Sequence, residues 1–121
     1  MAGNPKFGKR IRELREAKKA GDPTFSLRQF AQKVGISATY LSKVETGEFD
    51  PPKAENIIKI AELLDVDADE LLALANKTDP ELEEIIKSEP KAMADLLRTA
   101  RARRLTAEDL ERITRNMKRK P

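Results

Sequence analysis

The sequence predicts an all-α chain, a five-helix domain over residues 1–77 followed by a short helical C-terminal extension over 78–121. Three observations predict it. Apolar residues recur every three or four positions along almost the whole chain, and no stretch alternates with the period of two that a half-buried strand needs. Capping residues and helix breakers punctuate these stripes at short intervals. The apolar content is 39%, with only four Phe and one Tyr, which suits small aliphatic cores formed between helices.

The first helix is predicted over about Pro5–Lys19, with Phe7, Ile11 and Leu14 on its inner stripe. The loop Ala20–Phe25 carries Gly21 and Pro23. Ser26, followed by Gln29 at capping-box spacing, opens the second helix, on which Leu27, Phe30, Ala31 and Val34 recur at helical spacing. Gly35 breaks that helix where a left-handed residue is needed, and Ile36 is positioned to bury between the second and third helices. Ser37 caps the third, which turns Leu41 and Val44 inward and ends at Gly47. After the loop Gly47–Pro52, Pro52 is well placed at the first position of a fourth helix burying Ile57, Ile60, Ala61 and Leu64. Asp67 with Glu70 repeats the capping-box spacing and opens a fifth helix carrying Leu71, Leu72 and Leu74.

From Asn76 the character changes. Thr78-Asp79-Pro80 starts a sixth helix with Leu82, Ile85 and Ile86, and Ser88-Glu89-Pro90 starts a seventh with Met93, Leu96, Leu97 and Ala100. A basic joint, Arg101–Leu105, leads to an eighth helix with a weaker cap in Thr106 and Asp109, carrying Leu110, Ile113 and Met117. The chain closes on Lys118-Arg119-Lys120. So short a segment cannot bury an adequate core alone, so its stripes need another surface. That surface is the first domain or a second copy of the chain. The second option predicts a homodimer through residues 78–117, with Leu82, Ile85, Ile86, Met93, Leu96 and Leu97 at the interface.

Ser26–Gly47, SLRQFAQKVGISATYLSKVETG, is the plan of a helix-turn-helix, whose second helix enters the DNA major groove. Charge placement agrees with that reading. Residues 1–43 hold ten Lys/Arg against three Asp/Glu, residues 44–97 hold five against fifteen, and residues 98–121 hold nine against three. The basic front includes the presumed DNA-facing helices, as phosphate neutralisation requires, whereas the acidic middle should point away from DNA. On the third helix Thr39 offers a hydroxyl and a methyl, and Lys43, one turn on, reaches guanine O6/N7. Arg28, Lys33, Lys6, Lys9 and Arg10 are expected at phosphates, which position without specifying. Tyr40 reads equally as a phosphate hydrogen-bonder or as a half-buried packing residue.

Other classes find little support. The chain contains no Cys and no His, which removes disulfides, thiolate or histidine zinc sites and a histidine base. No cofactor and no metal are expected, and the enzyme reading has no phosphate-cradling glycine loop. The aromatics are too few for base-stacking recognition of RNA. No apolar run approaches the ~20 residues of a membrane span, and MAGNPKFGKR lacks a signal-peptide core, so the expectation is a cytoplasmic protein with no membrane partner.

FAQKVGIS, the YLSKVETG run with its Glu45-x-Gly47, and the following proline pair resemble the Cro/C1-type (Xre) helix-turn-helix repressors of phage and bacteria over about residues 6–75. The resemblance implies a dimer on a near-palindromic operator in double-stranded DNA. It also implies base-reading places for Ala38, Thr39 and Lys43, backbone contacts for Gln29 and Ser37, and an ion pair between Arg15 and Glu45. The sequence departs at Ala38, where a long polar reader is common and alanine offers only a methyl. The loop after the first helix is also longer than usual.

The tail, through DPELEEIIKSEPKAMADLLRTAR and LTAEDLERI, is similar to the C-terminal helices of repressors inactivated by a zinc metallopeptidase of the ImmA/IrrE type. That similarity implies a metallopeptidase partner and loss of operator binding when the tail is cut; a generic dimerisation tail without a protease stays open beside it. An alternative is the antitoxin of a toxin–antitoxin pair. Against it, the tail has caps and regular stripes rather than the low-complexity character of a segment that folds on binding.

Overall fold

The computed structural model describes residues 3–119, and among them the regular structure is entirely helical. In chain order the elements are α1 (Pro5–Lys19), a 3-10 turn (Pro23–Phe25), α2 (Leu27–Val34), α3 (Ala38–Glu45), α4 (Ala54–Leu64), α5 (Ala68–Leu74), α6 (Pro80–Ser88), α7 (Pro90–Ala102) and α8 (Ala107–Lys118). Contacts divide the chain into two units after Pro80. Lys120, the last residue of the closing basic run, lies outside the described residues. No helix among the described residues is long and apolar enough to cross a membrane.

The first unit is held by one apolar cluster. Phe7 and Ile11 of α1, Phe30 of α2, Leu41 of α3, Ile57 of α4 and Leu72 of α5 are fully buried in it, and Leu14 and Ile36 pack against it partly exposed. Each helix thus contributes one stripe, and burying a large aliphatic or aromatic side chain stabilises by about 1.5–3 kcal/mol. Asn4 caps α1 by accepting from Phe7 N–H at 3.0 Å, and its side-chain amide donates to the Leu74 carbonyl at 2.8 Å, so one residue ties the chain start to the end of α5. Where α1 crosses α3 the residue is Gly8. A Cβ there would meet the carbonyl oxygens of Val44 and Glu45, the latter at 2.8 Å, so only glycine permits this approach.

Two expectations at helix starts need correction. Pro52 does not open α4: Lys53 is the N-cap, in extended conformation and without a side-chain capping bond, and the helix begins at Ala54. Pro52 is instead buried two residues ahead of the helix. The reciprocal capping box is made not at Ser26 or Asp67, each of which only accepts from the N–H three residues on, but at Thr106–Asp109, the site expected to be weaker.

The second unit has stripes and no core. None of α6, α7 or α8 has a buried residue, and Leu96 and Leu97 are 61% and 50% exposed. The basic joint after α7 is an ordered turn, with Arg104 in the left-handed region (φ 54°) and Leu105 N–H donating back to the Ala100 carbonyl at 3.1 Å.

Candidate nucleic-acid interface

The helix-turn-helix is built by its caps. The Ser26 hydroxyl accepts from Gln29 N–H at 3.3 Å, and the Ser37 hydroxyl from Tyr40 N–H at 3.0 Å. Between the two helices Gly35 takes φ +92°, and Ile36 N–H returns to the Ala31 carbonyl at 3.0 Å. At the far end of α3, Gly47 (φ +83°) closes a Schellman turn: its N–H donates to Val44 O and that of Glu48 to Lys43 O, at 3.1 and 2.9 Å. Both ends of α3 are therefore fixed.

Beneath α3 lies a charged pair inside the core. Arg15 Nε donates to Glu45 Oε2 at 2.7 Å and Nη2 to Oε1 at 2.9 Å, while Nη1 donates to the Phe25 carbonyl at 3.1 Å. Both residues are buried. The hydrogen bonds to Glu45 raise the Arg15 pKa against the opposing effect of burial, so the guanidinium stays charged. The bidentate fork locks α1, the 3-10 turn and the end of α3 to one another.

On the outer face, Ser37 and Thr39 are exposed in the first turn of α3, and Ala38 is half-buried against the core. Lys43 is half-exposed one turn on, its ammonium donating to Glu48 Oε1 at 3.3 Å. The other Glu48 oxygen accepts from the Thr46 hydroxyl at 2.8 Å. Thr46 first and Lys43 second hold the Glu48 carboxyl below its ordinary pKa. The Tyr40 hydroxyl donates to the Asp50 carbonyl at 3.1 Å, with its ring 6.0 Å from that of Phe49. Burial, and then the Asp50 charge, push this phenol above its usual pKa. The packing role of Tyr40 is thus occupied, though its oxygen retains acceptor capacity.

The basic residues fall into two groups. Lys6, Lys9, Arg10 and Arg28 are exposed, as is the amide of Gln29. Lys33 is engaged within the molecule: its ammonium donates to the Thr24 hydroxyl at 2.7 Å and sits 4.3 Å from the Phe25 ring centroid. The long loop after α1 supplies both partners, since Asp22 caps the 3-10 turn and accepts from Thr24. A phosphate contact by Lys33 would have to give up this site.

Residues 8–77, more than half of the chain, match the helix-turn-helix domain family. The chain belongs to that family, in its Cro/C1 (Xre) branch of DNA-binding transcriptional regulators. Over 79 residues it is 38% identical to an uncharacterized HTH-type transcriptional regulator, RghRB, of Bacillus subtilis (strain 168), a match covering 65% of this chain and 53% of the relative. The chain therefore spans about half the length of that curated relative. Among solved structures, the restriction-modification controller protein C.AhdI of Aeromonas hydrophila is 37% identical, with 55% of this chain and 88% of that one covered and a TM-score of 0.46. The SinR/SinI protein complex gives 23% identity, coverage of 93% and 94%, and a TM-score of 0.47.

Several residues of this face and of its support escaped sequence reasoning. Glu48, Phe49 and Asp50 lie in a segment read only as a loop, and nothing in its composition signalled that it folds back onto Lys43 and Tyr40. Gly8 and Asn4 did carry signals. Asn4 before Pro5 is a cap followed by proline at the first helical position, and a glycine on the inner face of a helix marks a close approach.

Proposed function

We propose that the chain is a transcriptional repressor that binds a near-palindromic operator as a homodimer, with α3 in the major groove. The observation that carries this reading is α3 itself: its first turn, which exposes Thr39, is capped by Ser37, and its last residue is held from below by the buried Arg15–Glu45 fork. Preorganisation of that kind serves base reading, because a helix already ordered costs little to dock. In this reading Thr39 and Lys43 contact base edges and Ala38 offers its methyl. Lys6, Lys9, Arg10 and Arg28 neutralise phosphates, with Gln29, Ser37 and Tyr40 adding hydrogen bonds to the backbone and Lys33 joining once released from Phe25.

We assign dimerisation to residues 78–117 of the tail. The support is that α6 and α7 leave Leu82, Ile85, Leu96 and Leu97 exposed, with Ile86 and Met93 only partly covered. Pairing these stripes between two copies would set two recognition helices about 34 Å apart along one DNA face. Proteolysis within the tail, in its later helices or in the stretch Arg98–Leu105, would then release the operator. DNase footprinting upstream of the protein's own gene tests the proposal. Two protected half-sites about one helical turn apart are expected. Protection of a single half-site would overturn the dimer, and no protection of any tested promoter would overturn the repressor reading. An antitoxin would give the same footprint on an operon that also encodes a toxin, and co-purification with that toxin would replace the homodimer.

A further inference from the structure

The turn that follows α3 carries Glu48, a side chain to which the reading of α3 as a base-reading helix gives no part. Its position is set by the backbone. Glu48 and Phe49 both donate their N–H groups to the Lys43 carbonyl, at 2.9 and 3.2 Å, so the turn folds back on the last turn of α3. The carboxylate is then held from two sides, by the Lys43 ammonium at 3.3 Å and by the Thr46 hydroxyl at 2.8 Å. One of those two groups is the cation proposed to reach a base.

A free lysine on a groove-facing helix has abundant phosphates within reach, and a lysine–phosphate contact carries no sequence information. A carboxylate beside it alters that competition. Moving the ammonium to a phosphate gives up the Glu48 contact and leaves a carboxylate uncompensated beside a polyanion. With three N–H donors the ammonium can offer two to the O6 and N7 of a neutral guanine and keep one on Glu48, whereas an anionic phosphate is repelled by the carboxylate.

We propose that Glu48 is a specificity-determining residue of the DNA interface, disfavouring phosphate at the Lys43 ammonium and so leaving it to serve a guanine edge. This rests on the proposed base-reading role of Lys43. Because the two side chains are 42% and 56% exposed, the effect is modest, about two- to fivefold in binding.

The test is selection of bound sites from a randomised duplex pool by the full chain, in wild-type, Glu48→Gln, Lys43→Ala and doubly substituted forms. Anisotropy titrations on one random-sequence duplex accompany it. Glu48→Gln is expected to bind the random duplex about two- to fivefold more tightly and to lose preference at one base pair, the same pair that Lys43→Ala degrades. In the Lys43→Ala background it should change no base preference. Thr46→Val, which frees the carboxylate without removing it, should shift the selected sequences in the same direction by less. Uniform tightening with unchanged base preference would make Glu48 a bulk charge and overturn the inference. A wild-type chain that enriches no sequence would overturn the base-reading proposal itself, and this inference with it.

Discussion

Glu45→Ala isolates the brace under α3. The substitution removes both charge-assisted bonds to Arg15 and leaves the guanidinium, itself only 4% exposed, with the Phe25 carbonyl as its remaining buried partner. Breaking a buried ion pair from one side costs about 3–5 kcal/mol, because the surviving charge stays desolvated. Here the lower end applies, since Nη2 also lies 3.4 Å from the half-exposed Glu16 carboxylate and can turn toward it. About 3 kcal/mol is a large share of the ~5–15 kcal/mol that stabilises a domain, and at ~4–8 °C per kcal/mol it lowers Tm by about 12–24 °C. Replacing both partners, as in Arg15→Met with Glu45→Leu, should recover most of the loss, since an apolar pair of similar volume needs no desolvated charge. Circular-dichroism melts of the full chain and urea titrations measure both. A Glu45→Ala protein melting within about 2 °C of wild type would refute the reasoning, whatever the double variant does.

Four further outcomes are expected. Gly8→Ala should destabilise by about 1–3 kcal/mol despite alanine's better helix propensity, because its methyl meets backbone rather than a movable side chain; urea titration measures it, and stabilisation would contradict the packing. Lys43→Ala should cost about 1–3 kcal/mol on the operator and relax one position, whereas Lys9→Ala or Arg28→Ala should weaken all sequences alike and flatten the salt slope by about one unit, as titrations at several salt concentrations will read. Asp109 is held below its ordinary pKa by the Thr106 backbone N–H and hydroxyl, so its contribution to α8 is complete above the unfolded carboxylate pKa and is lost as pH falls through the lower folded value. Helicity followed from neutral to acid pH should show that loss in wild type and not in Asp109→Asn. A chain ending at Lys77 should stay folded, sediment as a monomer and bind the operator ~100-fold more weakly, since two half-sites act through effective concentration; dimers of both lengths would move the interface into the first unit.

The helices of the first unit were legible because what defines them is local. Ser26, Ser37 and Asp67 mark starts, Gly35 and Gly47 mark ends, and the stripe Ile57–Ile60–Ala61–Leu64 is buried as its spacing requires. Pro52 misled because proline at a first helical position and proline just ahead of a cap share one local signature; burial of its ring separated them, and burial is set by distant residues.

The candidate interface was legible to the same depth and no further. The spacing of α3 places Thr39 and Lys43 on one face, yet it says nothing of which cations are committed elsewhere. Lys33 and Lys43 look alike in the sequence. One lies over Phe25 because a loop longer than usual brings an aromatic ring to it, and the other lies beside Glu48 because Gly47 reverses the chain. In each case a loop residue sets what a helix residue can do. For the tail the limit is of a different kind. Its stripes were readable, and the structure leaves them on the surface, since the area that would cover Leu96 and Leu97 is not contributed by α6, α7 or α8. Such a pattern specifies an apolar face without specifying what covers it, and in the proposed homodimer the missing half of that information lies in the second molecule.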